Sequence, residues 1–183
     1  MAITVTQTRL PGVLLIEPHV FYDERGFFFE SFNRRDCAAA TGMALDWAWE
    51  QSFGASRGWM GGLFVAADPA RGWLIRVALG AVFVVAVDVG KEAPQGDRWV
   101  GELLTEENKR QLWIPPGFAH GFQVISPQAE WIGKSTHPDQ PDGERLLDWN
   151  DPAIGIQWPL SRESIQESAP VYHSSQRLCP HSP

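Results

Sequence analysis

The sequence predicts an all-β barrel or sandwich with few helices. Short apolar runs alternate with Gly and Pro turns along most of the chain, a pattern typical of such folds. In the clearest pair, residues 74–79 and 81–89 are divided by Gly80, which indicates adjacent buried strands joined by a tight turn. One short helix is expected at residues 33–41, with Asn33 as its N-cap and Gly42 as its stop.

Other short apolar or aromatic runs complete the predicted set of strands. They cover residues 13–16, 26–32, 112–114, 121–125, 130–134 and 156–158. A length of 183 residues suits one domain, which we place at residues 1–170. The polar, Pro-containing segment 171–183 is expected to be a poorly ordered tail.

Charge and composition limit the classes of partner. A net charge of −7 and a pI near 5.2 argue against nucleic acid, and a phosphorylated ligand would need cations concentrated at its site. No apolar stretch approaches the ~18 residues of a membrane span, and the N-terminus lacks a signal-peptide pattern. Cys37 and Cys179 allow two interpretations, a disulfide or unpaired thiols in a reducing cytoplasm, and the second is favoured.

Three segments resemble the signatures of one known family. They are residues 21–31 (FYDERGFFFES), 107–122 (ENKRQLWIPPGFAHGF) and 148–159 (DWNDPAIGIQWP). Their sequence, order and spacing are similar to those of the dTDP-4-dehydrorhamnose 3,5-epimerases. The resemblance implies a cupin-type jelly-roll β-barrel with one or two short helices. It also implies a homodimer in which N-terminal strands of one subunit join the partner's sheet.

The resemblance implies that no metal and no cofactor take part. The sequence agrees about the metal, because it lacks a His-x-His pair and its five histidines are scattered along the chain. The family's reaction moves protons next to a ketone at two sugar carbons. Such chemistry needs a base, an acid and a donor or cation beside the enolate oxygen.

The residues that the resemblance places at the family's functional positions are mostly apolar. Phe64 stands at the family's base, Gly133 at its proton-donating Tyr and Trp73 at its enolate-stabilising Lys. Gly61 stands at a substrate-contacting Arg and Val84 at a family Asp, while Trp49-Glu50-Gln51 replaces a triplet near the nucleotide. None of Phe, Gly, Trp or Val carries a proton in the working range of pH.

Several polar groups remain as candidates. The resemblance matches Asp151 to a carboxylate that orients the base and His120 to a second histidine of the site, and Lys134 is a further candidate catalytic residue. It matches Arg25 and Glu30 to residues that contact the nucleotide across the dimer. Each also has a structural interpretation: Asp151 as a turn cap, His120 as a satisfied barrel histidine, and Arg25 with Glu30 as an interface ion pair.

Flat apolar side chains dominate the predicted pocket. The candidate pocket residues are Trp49, Gln51, Trp59, Gly61, Phe64, Trp73, Val84, Phe122, Trp131 and Gly133. Such a lining favours a hydrophobic small molecule, which the barrel would cyclise, isomerise or subject to elimination. A sugar-nucleotide epimerase that uses His120 as its base, with a dTDP-sugar as substrate, ranks lower. A non-catalytic binding or scaffold protein with a filled barrel ranks between these two hypotheses.

Overall fold

The computed structural model describes residues 3–42, 46–90, 98–138 and 144–167 and confirms the all-β prediction. Fourteen strands and one α-helix are present in these ranges. In chain order they are β1 (Ile3–Gln7), β2 (Leu14–Pro18), β3 (Phe21–Asp23), β4 (Gly26–Phe28), α1 (Arg34–Thr41), β5 (Trp49–Ser56), β6 (Trp59–Ala66), β7 (Trp73–Leu79), β8 (Ala81–Asp88), β9 (Trp99–Thr105), β10 (Gln111–Ile114), β11 (Phe118–Val124), β12 (Gln128–Ser135), β13 (Glu144–Leu146) and β14 (Gln166–Glu167).

Two main sheets build the barrel. The first has the strand order β1-β2-β10-β7-β12-β5 and the second β13-β6-β11-β8-β9, with antiparallel pairing between neighbours. Strand β14 adds to β6 in parallel, and β3 with β4 forms a separate two-stranded ribbon. The chain therefore folds as a two-layer sandwich whose inner faces share one core.

The turn at Gly80 carries the chain from one sheet to the other. Strand β7 pairs with β10 and β12, whereas β8 pairs with β9 and β11. Both runs are consecutive strands joined by a tight turn, as predicted, and they belong to different sheets. Glycine is required at the turn because its φ is 72° and a Cβ there would overlap the carbonyl oxygen of Gln128.

Helix α1 forms as its capping residues predict. The Asn33 side-chain oxygen accepts hydrogen bonds from the backbone N–H groups of Arg35 and Asp36 at 3.0 and 3.2 Å. Gly42 ends the helix in the left-handed region, with φ 70°. The helix lies beside the outer face of the first sheet, where Cys37 packs in a cluster with Leu74 and Trp113.

Other expectations differ in detail or lie outside the described residues. Residues 156–158 form no strand, and Ile156 and Trp158 pack in the cluster on the outside of the second sheet. The predicted tail at 171–183, with Cys179, is outside the described ranges. Cys37 is a buried free thiol, and burial raises its pKa. Among the described residues, the helices are too short or too polar to cross a membrane.

Candidate functional site in the barrel

Alternation along each strand sorts the side chains between the barrel interior and the outer faces. On β7 the interior residues are Trp73, Ile75 and Val77, which belong to the core cluster between the sheets, while Leu74 belongs to the outer cluster. On β11 the ring of His120 contacts those of Phe64 and Phe122 inside the barrel. The same alternation assigns each candidate residue that lies on a strand to the barrel interior or to an outer face.

A continuous chain of ring contacts fills the barrel interior. It runs from Trp49 to Trp73 at 5.8 Å between ring centroids, and from Trp73 to His120 at 5.4 Å. It continues to Phe122 at 5.5 Å, to Trp131 at 5.5 Å and to Trp59 at 5.3 Å. Phe64 joins it through His120 at 5.6 Å. We call these seven residues the aromatic chain; six of them were predicted to line the pocket, and His120 was predicted to be catalytic.

Two glycines make room for tryptophans of this chain. A Cβ at Gly61 would overlap the Cη2 of Trp59, and a Cβ at Gly133 would lie 3.2 Å from the Cζ3 of Trp73. The predicted pocket residue Gln51 faces inward opposite Gly133 in the pairing of β5 with β12. Val84 is fully buried in the same core. The predicted pocket residues thus meet inside one barrel, and their side chains pack against each other.

His120 is buried among aromatic rings, with 4% of its surface exposed. Desolvation disfavours the charged imidazolium, and the nearby Arg71 guanidinium repels it further. Together they lower the pKa of His120 to about 3. The imidazole is therefore neutral throughout the usual working range of pH.

Arg71 is a buried cation that sequence reasoning did not single out. Its guanidinium donates to the carbonyl oxygen of Pro138 at 2.7 Å and pairs with Glu144 at 3.4 Å. These contacts hold one positive charge close enough to His120 to affect its pKa. The pair Arg71-Gly72 before β7 gave no signal that Arg71 is buried. Its burial depends on the segment Thr136–Pro138, which is distant in the sequence and contacts both residues.

Two indole N–H groups inside the barrel have no hydrogen-bond acceptor among the described residues. They belong to Trp73, which is 6% exposed, and Trp131, which is 1% exposed. A buried donor without an acceptor costs about 1–3 kcal/mol. The barrel interior therefore offers two donors to an oxygen acceptor.

Lys134 does not share the barrel with His120. It alternates with the inward-facing Gly133 and Ser135 and points to the outer face of the first sheet. There its Nζ lies 2.6 Å from the Glu50 carboxylate and 4.6 Å from the Phe32 ring centre. The structure thus separates Lys134 from the candidate site.

Replacing Lys134 with glutamine should change the free energy of unfolding by less than about 1 kcal/mol, because the Lys134–Glu50 pair is partly exposed. Ligand binding in the barrel should not change, because the side chain is on the other face of the sheet. Urea denaturation and ligand titration of K134Q measure the two effects. A large loss of barrel binding would show that Lys134 reaches the ligand.

Asp151 also stays away from the barrel interior. Its Oδ1 accepts a hydrogen bond from the Ala153 N–H at 2.8 Å, as in a turn cap. The turn packs through Ile154 in a cluster with Val85 and Ala119, on the outer face of the second sheet. The structure therefore does not bring Asp151 together with the inward-facing His120, and it favours the turn-cap interpretation.

Arg25 and Glu30 do not pair with each other within the chain. Arg25 forms an exposed ion pair with Asp23 in the β3–β4 ribbon, which lowers the pKa of Asp23. Glu30 accepts a hydrogen bond from the Asn33 side chain at 3.1 Å. Their predicted contact with a nucleotide stays a prediction.

Glu102 is an inward-facing carboxylate that sequence reasoning missed. On β9 it stands between Val100 and Leu104, both members of the barrel core, and it pairs directly with Val84 on β8. Burial raises the pKa of Glu102 against the opposing effect of Arg110, and Glu17 raises it further. The run Trp99–Thr105 carries a Gly and a Glu, so its weak apolar pattern gave no signal of a strand with a polar inward residue.

Two cavities among the described residues are lined by neither Trp73, Phe64 nor His120. One, of about 10 Å³, lies on the outer face of the first sheet beside Lys134. The other, of about 430 Å³, is an open groove along β5 near Leu79 and Glu130. In this structure the aromatic chain occupies the predicted pocket.

Comparisons with known proteins agree on one family. The family model described as dTDP-4-dehydrorhamnose 3,5-epimerase matches residues 7–176. The chain is 47% identical over 155 residues to a dTDP-4-dehydrorhamnose 3,5-epimerase of Pseudomonas aeruginosa, covering 85% of this chain and 86% of the relative. It is 46% identical over 159 residues to that of Salmonella typhimurium, covering 86% and 87%.

A solved structure matches most of this chain. It is the dTDP-6-deoxy-D-glucose-3,5-epimerase of Legionella pneumophila in complex with dTDP-4-keto-L-rhamnose. The TM-score is 0.86 at 37% identity, covering 91% of this chain and 88% of that one. The cupin-type fold expected from the three signature segments is confirmed.

Proposed function

Because this chain belongs to the dTDP-4-dehydrorhamnose 3,5-epimerase family, we propose that it is an isomerase that epimerises a dTDP-linked 4-keto-6-deoxyhexose. The observation that carries the proposal is the identity of 47% to a curated epimerase over most of both chains. Similarity of that extent supports the sugar-nucleotide hypothesis over a cyclase.

The polar groups of the barrel support an oxygen-rich ligand. The N–H groups of Trp73 and Trp131 lack acceptors among the described residues, and a sugar offers hydroxyl and keto oxygens to such donors. A purely hydrophobic ligand would leave both donors unsatisfied, at a cost of about 1–3 kcal/mol each. The predicted hydrophobic substrate is therefore less well supported than a sugar.

His120 is the residue that we assign to proton transfer in this reaction. It faces the barrel interior, and its neutral imidazole has a free lone pair at working pH. In the proposed step, the imidazole removes a proton from a carbon next to the ketone and the carbonyl oxygen takes the negative charge. A water molecule on the opposite face then delivers a proton to that carbon and the imidazolium releases its proton to solvent, so no oxidant or reductant is needed.

Solvent-deuterium uptake tests the proposed function. Incubating the protein in deuterium oxide with dTDP-4-keto-6-deoxy-D-glucose should place deuterium next to the ketone, measured by mass spectrometry. The His120→Gln variant should lower the rate by about 10²–10⁴-fold, the usual contribution of a general base. Uptake by the wild-type protein no faster than in protein-free buffer would refute the epimerase.

A non-catalytic homologue is the second candidate, and two observations favour it. The rings of the aromatic chain fill the barrel in this structure, and Gly61 and Gly133 accommodate the indoles of Trp59 and Trp73. A pKa of about 3 also makes His120 a weak base. This candidate predicts no deuterium uptake and no shift of melting temperature with dTDP-sugars.

The homodimer is a further part of the proposal. The β3–β4 ribbon exposes four aromatic side chains, Phe21 at 49%, Tyr22 at 69%, Phe27 at 55% and Phe28 at 59%. An exposed aromatic patch of this kind is typical of an interaction surface. Light scattering coupled to size-exclusion chromatography should give twice the mass of 20.4 kDa.

A further inference from the structure

Glu102 has an ionisable side chain in the barrel wall, and the proton transfer assigned to His120 does not involve it. Val100 and Leu104, two residues away on either side, are buried in the barrel core, so Glu102 faces the same interior. No described residue donates a hydrogen bond to its carboxylate, although Arg110 and Glu17 are near enough to affect its pKa. Arg110 donates instead to Glu17, at 2.8 Å.

A carboxylate in this position contributes little to stability. It is partly desolvated, it lies near a second carboxylate, and the neighbouring guanidinium already has a partner. Ionisable groups in such surroundings are frequently functional, because active sites use burial and neighbouring charges to shift the pKa values of catalytic groups. A chemical role therefore explains the position of Glu102 better than a contribution to stability does.

The register of the second sheet sets the distance between Glu102 and His120. His120 pairs with Ala86 on β8, and Glu102 pairs with Val84 on the other side of β8. Two strand spacings and an offset of two residues separate their Cα atoms by about 12 Å. Val84 and Ala86 are the inward-facing residues of β8 between them, and both have small side chains.

We propose that Glu102 is a second proton-transferring residue of this barrel, acting on a carbon next to the sugar ketone while His120 acts on the other. This assignment rests on the proposed epimerase. In the step, the bond between carbon and hydrogen breaks and the proton moves to the Glu102 carboxylate. The electron pair passes to the keto oxygen as an enolate, a water molecule on the opposite face then delivers a proton to the same carbon, and the Glu102 carboxyl group releases its proton to solvent.

The Glu102→Gln variant tests the assignment, with deuterium uptake measured separately at the two carbons. Uptake at one carbon should fall by about 100-fold, the lower end of the contribution of a general acid or base. The variant should fold with at least wild-type stability, because the amide removes a poorly solvated charge. Affinity for dTDP should stay within about twofold, which a merely unfolded variant would not show.

Glu130→Gln is the matched control, because Glu130 is an exposed glutamate on the outer face of β12. It should leave uptake at both carbons unchanged. If the wild-type protein is active and E102Q retains uptake within twofold at both carbons, the role of Glu102 is refuted while the epimerase stands. If the wild-type protein shows no uptake at all, the epimerase is refuted and the role of Glu102 with it.

Discussion

Replacing Trp131 with alanine is expected to lower the free energy of unfolding by about 3–5 kcal/mol, the usual cost of truncating a fully buried Trp. Only 1% of Trp131 is exposed, and its ring packs against three others, those of Phe53, Trp59 and Phe122. The cavity left by alanine cannot close easily, because these neighbours are held by both sheets. Urea denaturation followed by far-ultraviolet circular dichroism measures the change.

Leu103→Ala is the control for Trp131, since Leu103 is an apolar strand residue that is 44% exposed. Its truncation should change the free energy of unfolding by no more than about 0.5 kcal/mol. A W131A variant that lost less than about 1 kcal/mol would contradict the filled barrel, because the indole would then contact solvent or a loosely packed cavity.

The second large effect is a dependence of stability on pH that originates at His120. The pKa of its imidazole is about 3 in the folded protein and 6.5 in the reference state that represents the unfolded chain. Between these values the unfolded chain binds a proton that the folded protein excludes. Stability from this site is therefore complete above pH 6.5 and declines as pH falls, by about 1.4 kcal/mol per pH unit.

The His120→Gln variant removes this dependence. From pH 6 to pH 4 the wild-type protein should lose about 3 kcal/mol more of its unfolding free energy than H120Q loses. Urea midpoints at several pH values give the difference, and all other titrating groups cancel in the comparison. His19→Gln, which changes an exposed histidine, should follow the wild-type curve. A constant difference between wild type and H120Q would mean that the imidazole is hydrated in the fold.

Local patterns predicted the parts of the fold whose causes are local. The boundaries of α1 followed from Asn33 and Gly42, because capping depends on residues within one turn. The turn at Gly80 was found for the same reason, since only glycine suits its φ of 72°. The partners of the strands on either side were not predicted, because strands buried on both faces carry no alternation that shows which sheet they join.

The candidate site was likewise predicted only in part from the sequence. The three signature segments identified the family and placed His120 and most of the pocket residues in one barrel, where the structure also has them. Lys134 and Asp151 were grouped with His120 on similarity alone, and the structure turns both to outer faces. A shift of one residue along a strand reverses the direction of a side chain, so proximity in sequence to Gly133 did not place Lys134.

The sequence by itself determined the family, the all-β class and the aromatic character of the barrel, because these depend on residue identity and short-range order. Only the tertiary structure decided that the rings contact one another, that His120 is desolvated and that Glu102 faces inward. These properties depend on which strands pair and in which register. Register joins residues far apart in the chain, and their contacts and burial exist only once the two sheets have packed.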